Sequence, residues 1–298
     1  MSDYVLELRD VTKRYDGFTL DHVSFCVPRG CICGFIGQNG AGKTTTIQLM
    51  LDIVKRDEGS IRVFGEDMPK NGALWKERIG VVFDDMGFHE FLTATQIIRV
   101  MKQVYANWQE EIFFDYLERF SLPRKKRCGS FSRGMRMKLQ IAVALSHKAE
   151  LLILDEPTSG LDPIVRNEIL QIFQEYVLEE NHTIFLSSHI TGDLERIADM
   201  VTFINGGKIV LSGDKNEILE RHGLIKCKKE DFKNIDPADM VSYRKSAFGV
   251  EVLVADRKKC AEKYSSMVME QTTLEEIMIF YVNRTQPETK RGRKGMRV

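Results

Sequence analysis

Residues 31–44 read CICGFIGQNGAGKT, and the reading of the whole chain turns on them. Residues 31–36 form a short apolar run that reads as a buried strand. Gly37 then opens a glycine-rich loop that fits the pattern GxxxxGK[ST] and closes on Lys43 and Thr44. From Lys43 onward Ile47, Met50, Leu51 and Val54 fall at helical spacing. A strand before the loop and a helix after it are the context this motif requires. Glycines let backbone N–H groups turn inward around phosphate oxygens, and the helix N-terminus adds its positive end. The residues that would surround a nucleoside triphosphate are Gly37, Asn39, Gly40, Ala41, Gly42, Lys43, Thr44 and Thr45. Within that set Lys43 would reach the β- and γ-phosphates, and Thr44 would offer its hydroxyl to Mg²⁺.

Further along, Leu151-Leu-Ile-Leu-Asp155-Glu156 is an apolar strand ending in two carboxylates. After a phosphate-binding loop, Asp155 is expected to hold Mg²⁺, through water, and Glu156 to polarise an attacking water. His189 ends the next strand, where ligands collect in open α/β sheets, and could contact the γ-phosphate. Tyr15 follows the first strand; it could stack on a purine or be a surface tyrosine.

Short strands and helices alternate through most of the chain, which favours a mainly parallel sheet covered by helices. Between about 88 and 148 the spacing turns helical, as if a helical block were inserted into that sheet. Pro123 and the basic cluster Arg124 to Arg127 interrupt it, and that cluster reads as a solvated turn. VTFINGGKIVLSG, residues 201–213, carries the Asn-Gly signal of a hairpin. After about 222 the texture changes to short strand-like runs and a final helical run, LEEIMIFYV.

With 43 Lys and Arg against 43 Asp and Glu, the 298 residues carry no net charge, so no global field points to nucleic acid. The N-terminus runs directly into a Val-Leu-Glu-Leu strand without a secretory signal, and no apolar run approaches the length of a membrane span. Six cysteines without a CxxC pair read as reduced core thiols. These features suit the cytoplasm, with any membrane role supplied by a partner chain.

Together the motifs resemble the ATP-binding subunit of an ABC transporter over residues 3–222. The resemblance implies an α/β fold: a P-loop NTPase core with a mainly parallel sheet, an N-terminal antiparallel β subdomain and the helical subdomain at about 88–148. Beyond the reach of the resemblance, the change of texture after about 222 predicts a small α+β accessory domain at 223–284 and a basic, disordered tail at 285–298. In the family's order, Tyr15 matches the adenine-stacking aromatic, Ser159-Gly-Leu-Asp162 the D-loop and His189 the switch histidine. FSRGM, residues 131–135, stands at the LSGGQ signature, which in the family caps the γ-phosphate held by a second subunit. Ser132 and Gly134 are retained, while Arg133 replaces the first glycine and Met135 the glutamine. Asp84 stands where the Q-loop has Gln; as a carboxylate it could still reach Mg²⁺.

By resemblance, then, the chain would bind ATP with Mg²⁺ and pair with a second ATPase subunit, the same chain or a related one. It would work at the cytoplasmic face of the membrane with an integral permease received near Phe88 to Leu92. The variant signature and the acidic Q-loop are similar to those of exporters of antimicrobial or toxic peptides, including the phenol-soluble-modulin and bacitracin-resistance types. Glu156, His189 and Lys43 would carry the hydrolysis. The alternative is a soluble ABC-type ATPase that takes no part in transport.

Overall fold

Two kinds of strand sort into separate sheets. β1 (Tyr4–Tyr15) and β2 (Phe18–Pro28) pair antiparallel through a turn at Gly17, and β2 alternates buried and exposed residues, as a sheet with one wet face requires. β3 (Ile32–Ile36) is buried at every position, which is the mark of a strand covered on both faces. The computed structural model describes residues 3–68, 75–84, 87–179 and 182–283. It divides into two units, Met1–Ser212 and Gly213–Val298.

In the first unit, α1 (Lys43–Met50) follows β3, and β4 (Glu58–Val63) and β5 (Glu66–Asp67) complete an antiparallel sheet of order β2-β1-β4-β5. The central sheet uses β6 (Ile79–Val82), β7 (Leu151–Asp155), β8 (Thr183–Ser188), β9 (Met200–Asn205) and β10 (Lys208–Asp214), in the order β10-β9-β3-β8-β7-β6. Pairings β6–β7, β7–β8, β8–β3 and β3–β9 are all parallel, so the ends of β6, β7, β8 and β3 reach the same edge. Sequence and structure agree on this architecture.

Between the neighbours β6 and β7 the chain leaves the sheet to form α2 (Ala94–Val104), α3 (Glu110–Arg119) and α4 (Arg133–Leu145). This is the inserted helical block. A capping box of Thr93 and Gln96 starts α2. Arg124 and Arg127 of the basic cluster lie over the rings of Phe114 and Phe91, 4.4 and 5.7 Å from their centroids. α4 returns across β6 so closely that a Cβ at Gly80 would fall 2.7 Å from the Ala144 carbonyl oxygen. α5 (Pro163–Tyr176) and α6 (Thr191–Ile197) follow β7 and β8. α6 lays Leu194 on β3, where a Cβ at Gly34 would meet the Leu194 methyl groups at 3.0 Å.

Phe25 of β2, Phe35 of β3 and Phe185 of β8 pack together with centroids 5.3–5.7 Å apart, joining the antiparallel sheet to the central one. Of the cysteines, Cys33, Cys128 and Cys260 are buried and free, as core thiols are. Cys26 corrects that expectation: it lies on the exposed face of β2.

The second unit contains α7 (Lys215–Arg221), β11 (Gly223–Cys227), β12 (Met240–Lys245), β13 (Val250–Val254), α8 (Arg257–Lys263), β14 (Val268–Glu270) and α9 (Leu274–Val282). Its antiparallel sheet, of order β12-β13-β11-β14, covers a core of Ile225, Val252, Val254, Cys260 and Tyr264. The division falls ten residues before the expected boundary at 222 because α7 packs against α8. The expected tail, 285–298, lies outside the described residues.

Two measurements bear on this packing. Phe185→Ala should lower the unfolding free energy by about 3–5 kcal/mol in urea titrations; a loss below about 1 kcal/mol would mean the three rings do not tie the sheets. His147, buried between α4 and β6, stacks on Tyr105 at 3.9 Å and faces the carbonyls of Ile79 and Val143 at 3.1 and 3.3 Å. Burial pulls its pKa below the ordinary 6.5. The neutral ring therefore contributes stability that is full above pH 6.5 and is lost as the pH falls below it. His147→Gln should flatten that acid limb; an unchanged limb would assign the loss elsewhere, His222 having the same direction of shift.

Candidate functional site

The loop between β3 and α1 ends on Gly42 with φ +112, a conformation that L side chains rarely adopt. Helix α1 has no side-chain cap and no acidic residue in its first turn, so its leading N–H groups point free of any carboxylate of their own helix. Lys43 folds back along the loop, its ammonium 2.7 Å from the Gly37 carbonyl and 3.3 Å from that of Gln38. A Cβ at Gly37 would fall 2.8 Å from Ile204, which leaves no room for any larger residue at the start of the loop.

Asp155 stands at the end of β7 and joins three elements. Its Oδ2 accepts from the Thr44 hydroxyl at 2.8 Å, and its Oδ1 from the Ser187 hydroxyl at 2.5 Å. The next residue, Glu156, has φ +53, an uncommon backbone for a non-glycine residue, and its N–H donates to Ser187. Its carboxylate is divided between two partners. Oε1 lies 3.0 Å from the buried Lys43 ammonium as an ion pair without an aligned hydrogen bond. Oε2 lies 2.7 Å from His189 Nδ1.

Phe18, Asn39, Gly40, Gly42, Lys43, Thr44, Thr45, Asp84, Asp155 and Glu156 line one cavity of about 500 Å³. Six of the eight expected loop residues and the carboxylates at 155 and 156 therefore converge, with Asp84 arriving from the end of β6, while Gly37 and Ala41 are outside the lining. Tyr15 is outside this lining and 43% exposed; Phe18, its partner across the β1–β2 turn, takes the place at the cavity, its ring against Gly42. Ser132 caps α4 by accepting from Met135 N–H at 3.3 Å, and Gly134 lies in the first turn of that helix. Arg133 reaches Asp84, Nη2 to Oδ1 at 2.5 Å. Asp162 caps α5, accepting from Ile164 and Val165 N–H at 3.1 Å.

Donor chemistry gives a test of Mg²⁺. The Thr44 hydroxyl and the Asp84 and Asp155 carboxylates are hard oxygen donors on one cavity, which fits that ion. Among the described residues no cluster of three or more His, Cys, Asp or Glu forms a metal cage, so the remaining ligands would be phosphate and water oxygens.

Comparison with known proteins gives a consistent result. The family described as ABC transporter matches residues 20–159, and a second match, to an AAA domain described as a putative AbiEii toxin, covers residues 127–192. The bacitracin transport ATP-binding protein BcrA of Bacillus licheniformis is 40% identical over 69% of this chain and 68% of its own length. Its namesake from Enterococcus faecalis is 34% identical over 74% of this chain and 72% of its own. A solved structure described as the ATP-binding subunit of an ABC transporter superposes with a TM-score of 0.66 at 27% identity, over 72% of this chain and 91% of its own.

Sequence reasoning missed Ser187, Phe18 and one further carboxylate, Asp193. Buried Asp193 of α6 accepts from the Thr158 hydroxyl at 2.7 Å and from Arg166 Nε at 2.6 Å. It thereby ties the segment between Glu156 and Asp162 to the helices on either side. A carboxylate in the first turn of a predicted helix is so common that no signal in the sequence marked it. Asp193→Ala should cost about 2–4 kcal/mol, toward the low end because Arg166 keeps some water contact. It should also speed amide exchange in residues 157–162; exchange at the wild-type rate would show that this segment holds its shape without Asp193.

Proposed function

This chain belongs to the ABC transporter ATP-binding family and is an ATP hydrolase of that family; from that premise we propose that it drives export of amphipathic or antimicrobial peptides through a separate membrane subunit. The observation that carries the hydrolytic part is the convergence of Lys43, Thr44, Asp155 and Glu156 on one cavity at the edge where β3 and β7 end. The bacitracin transport relatives support the export part. Among the described residues no helix is long and apolar enough to cross a membrane, so a permease partner supplies the path.

In this reading the uncapped start of α1 and the loop N–H groups receive the triphosphate. Lys43 leaves Glu156 and the loop carbonyls for the β- and γ-phosphates. Thr44 directly and Asp155 through water would hold Mg²⁺, with Asp84 within reach, and the ion would supply charge neutralisation at the leaving phosphates. Phe18, on the cavity, is better placed than Tyr15 to stack on the base. Once Lys43 has moved, the Glu156 carboxylate is free to orient water for in-line attack. His189, already bonded to Glu156, fixes that carboxylate and stands ready for the charge on the departing phosphoryl group.

A second copy, or a related chain, brings Ser132, Gly134 and the start of its α4 over the γ-phosphate, with Asp162 at the contact. Phe91, 67% exposed beside Leu92 in the helical block, offers the permease an apolar contact. The second unit serves as an accessory domain.

Glu156→Gln separates these statements. It should keep ATP binding, form an ATP-dependent dimer and lower phosphate release by about 10²–10³-fold. Release at the wild-type rate would remove Glu156 from the reaction. From detergent-solubilised membranes the same variant with ATP should co-purify an integral membrane protein. Recovery with ribosomes, DNA or no partner would turn the reading to a soluble ATPase.

A further inference from the structure

Two departures that look unrelated in the sequence, an acidic residue at position 84 and a basic one at 133, meet in the folded chain. Arg133 Nη2 lies 2.5 Å from Asp84 Oδ1, across 49 positions of sequence. We propose that this is a nucleotide-sensitive ion pair: Asp84 holds Arg133 in the nucleotide-free chain and releases it to take up Mg²⁺ when nucleotide enters, leaving Arg133 as the positive charge of the surface offered to the partner's γ-phosphate. The inference rests on the hydrolytic reading above and adds to it a link between the cavity and the first turn of α4.

Four observations carry it. Asp84 lines the same cavity as Thr44 and Asp155, so its carboxylate faces both the guanidinium and the place where the metal would sit. A carboxylate cannot serve a guanidinium and a hard divalent cation equally, and the two demands compete. The pair is weak enough to exchange: the side chains are 51% and 52% exposed, and exposed pairs shift an equilibrium only a few-fold. Arg133 is also poorly placed without a counter-charge. It is the first residue of α4, where the helix dipole is positive, and the first turn of that helix has no acidic residue. Asp84 supplies the missing anion in the resting chain, and a phosphate would supply it otherwise.

The guanidinium has a defined seat while it is paired with Asp84. It lies over Gly160, where a Cβ would fall 3.2 Å from Arg133 Cζ. Any side chain at position 160 would push it away. Arg133 therefore touches both the end of the β6 segment and the turn that leads to Asp162. Loss of the Asp84 contact would free α4's first turn at the moment the cavity fills.

The experiment measures binding of a fluorescent ADP analogue to the isolated chain, with Mg²⁺ and with EDTA, so that neither turnover nor dimer closure contributes. Arg133→Ala should tighten the Mg²⁺-dependent binding about two- to fivefold and leave the EDTA value unchanged. In an Asp84→Asn background the same substitution should have no effect, because the competition is gone. In a Glu156→Gln background, Arg133→Ala should instead weaken the ATP-dependent dimer, whereas Arg133→Lys should largely retain it. A purely structural pair would not give effects of opposite sign in these two assays. Equal effects of Arg133→Ala with and without Asp84, or no Mg²⁺-dependent change, would overturn the exchange. A wild-type chain that binds no nucleotide under either condition would overturn the hydrolytic reading, and this inference with it.

Discussion

The Asp155 carboxylate is the point from which the site is organised. One oxygen is held by Thr44 at the start of α1 and the other by Ser187 at the end of β8, while the residue itself closes β7. Three elements far apart in sequence are thereby fixed to within hydrogen-bond distances. Both hydroxyls donate to a carboxylate that is itself buried. The parallel register of β3, β8 and β7 makes this possible by bringing their ends to one edge. Glycines at 34 and 80 let α6 and α4 lie directly on that sheet.

Around Asp155 the charged side chains of the cavity are paired with one another. Lys43 pairs with Glu156, Glu156 with His189, and Asp84 with Arg133. Every charged side chain that the hydrolytic reading assigns to nucleotide or metal has an internal partner. That matters because a buried ammonium with no counter-charge would be costly. In that reading the same pairing sets the order of events: partners must be exchanged before the groups can act on a ligand.

Legibility in the sequence followed distance along the chain. The strand, loop and helix from 31 to 50 were readable because the phosphate-binding motif is local and each residue's place follows from its neighbours. The carboxylates at 155 and 156 gained meaning only by following that motif. That Phe18 rather than Tyr15 lines the cavity was not readable. The two face each other across one turn, and it is the β2 side that runs beside the loop, through Asp21 N–H to the Gly207 carbonyl and Gly207 N–H to that of Ala41. Arg133 and Asp84 each looked like the loss of a family residue; only the fold shows that they answer one another. Asp193 was invisible for the same reason, since its partners Thr158 and Arg166 come from other elements.

The bare start of α1 has a thermodynamic consequence. A helix of eight residues with Gly42 rather than Ser or Asp at its N-cap forgoes about a few tenths of a kcal/mol that a capping side chain would contribute there. Glu156, at φ +53, holds a further strained backbone only one residue beyond Asp155. Both deficits lie in the walls of one cavity, so the ligand that fills it also completes the fold around it. By mass action the melting temperature of the first unit then becomes a readout of free ligand concentration. A chain depleted of nucleotide would be the form most open to unfolding and proteolysis.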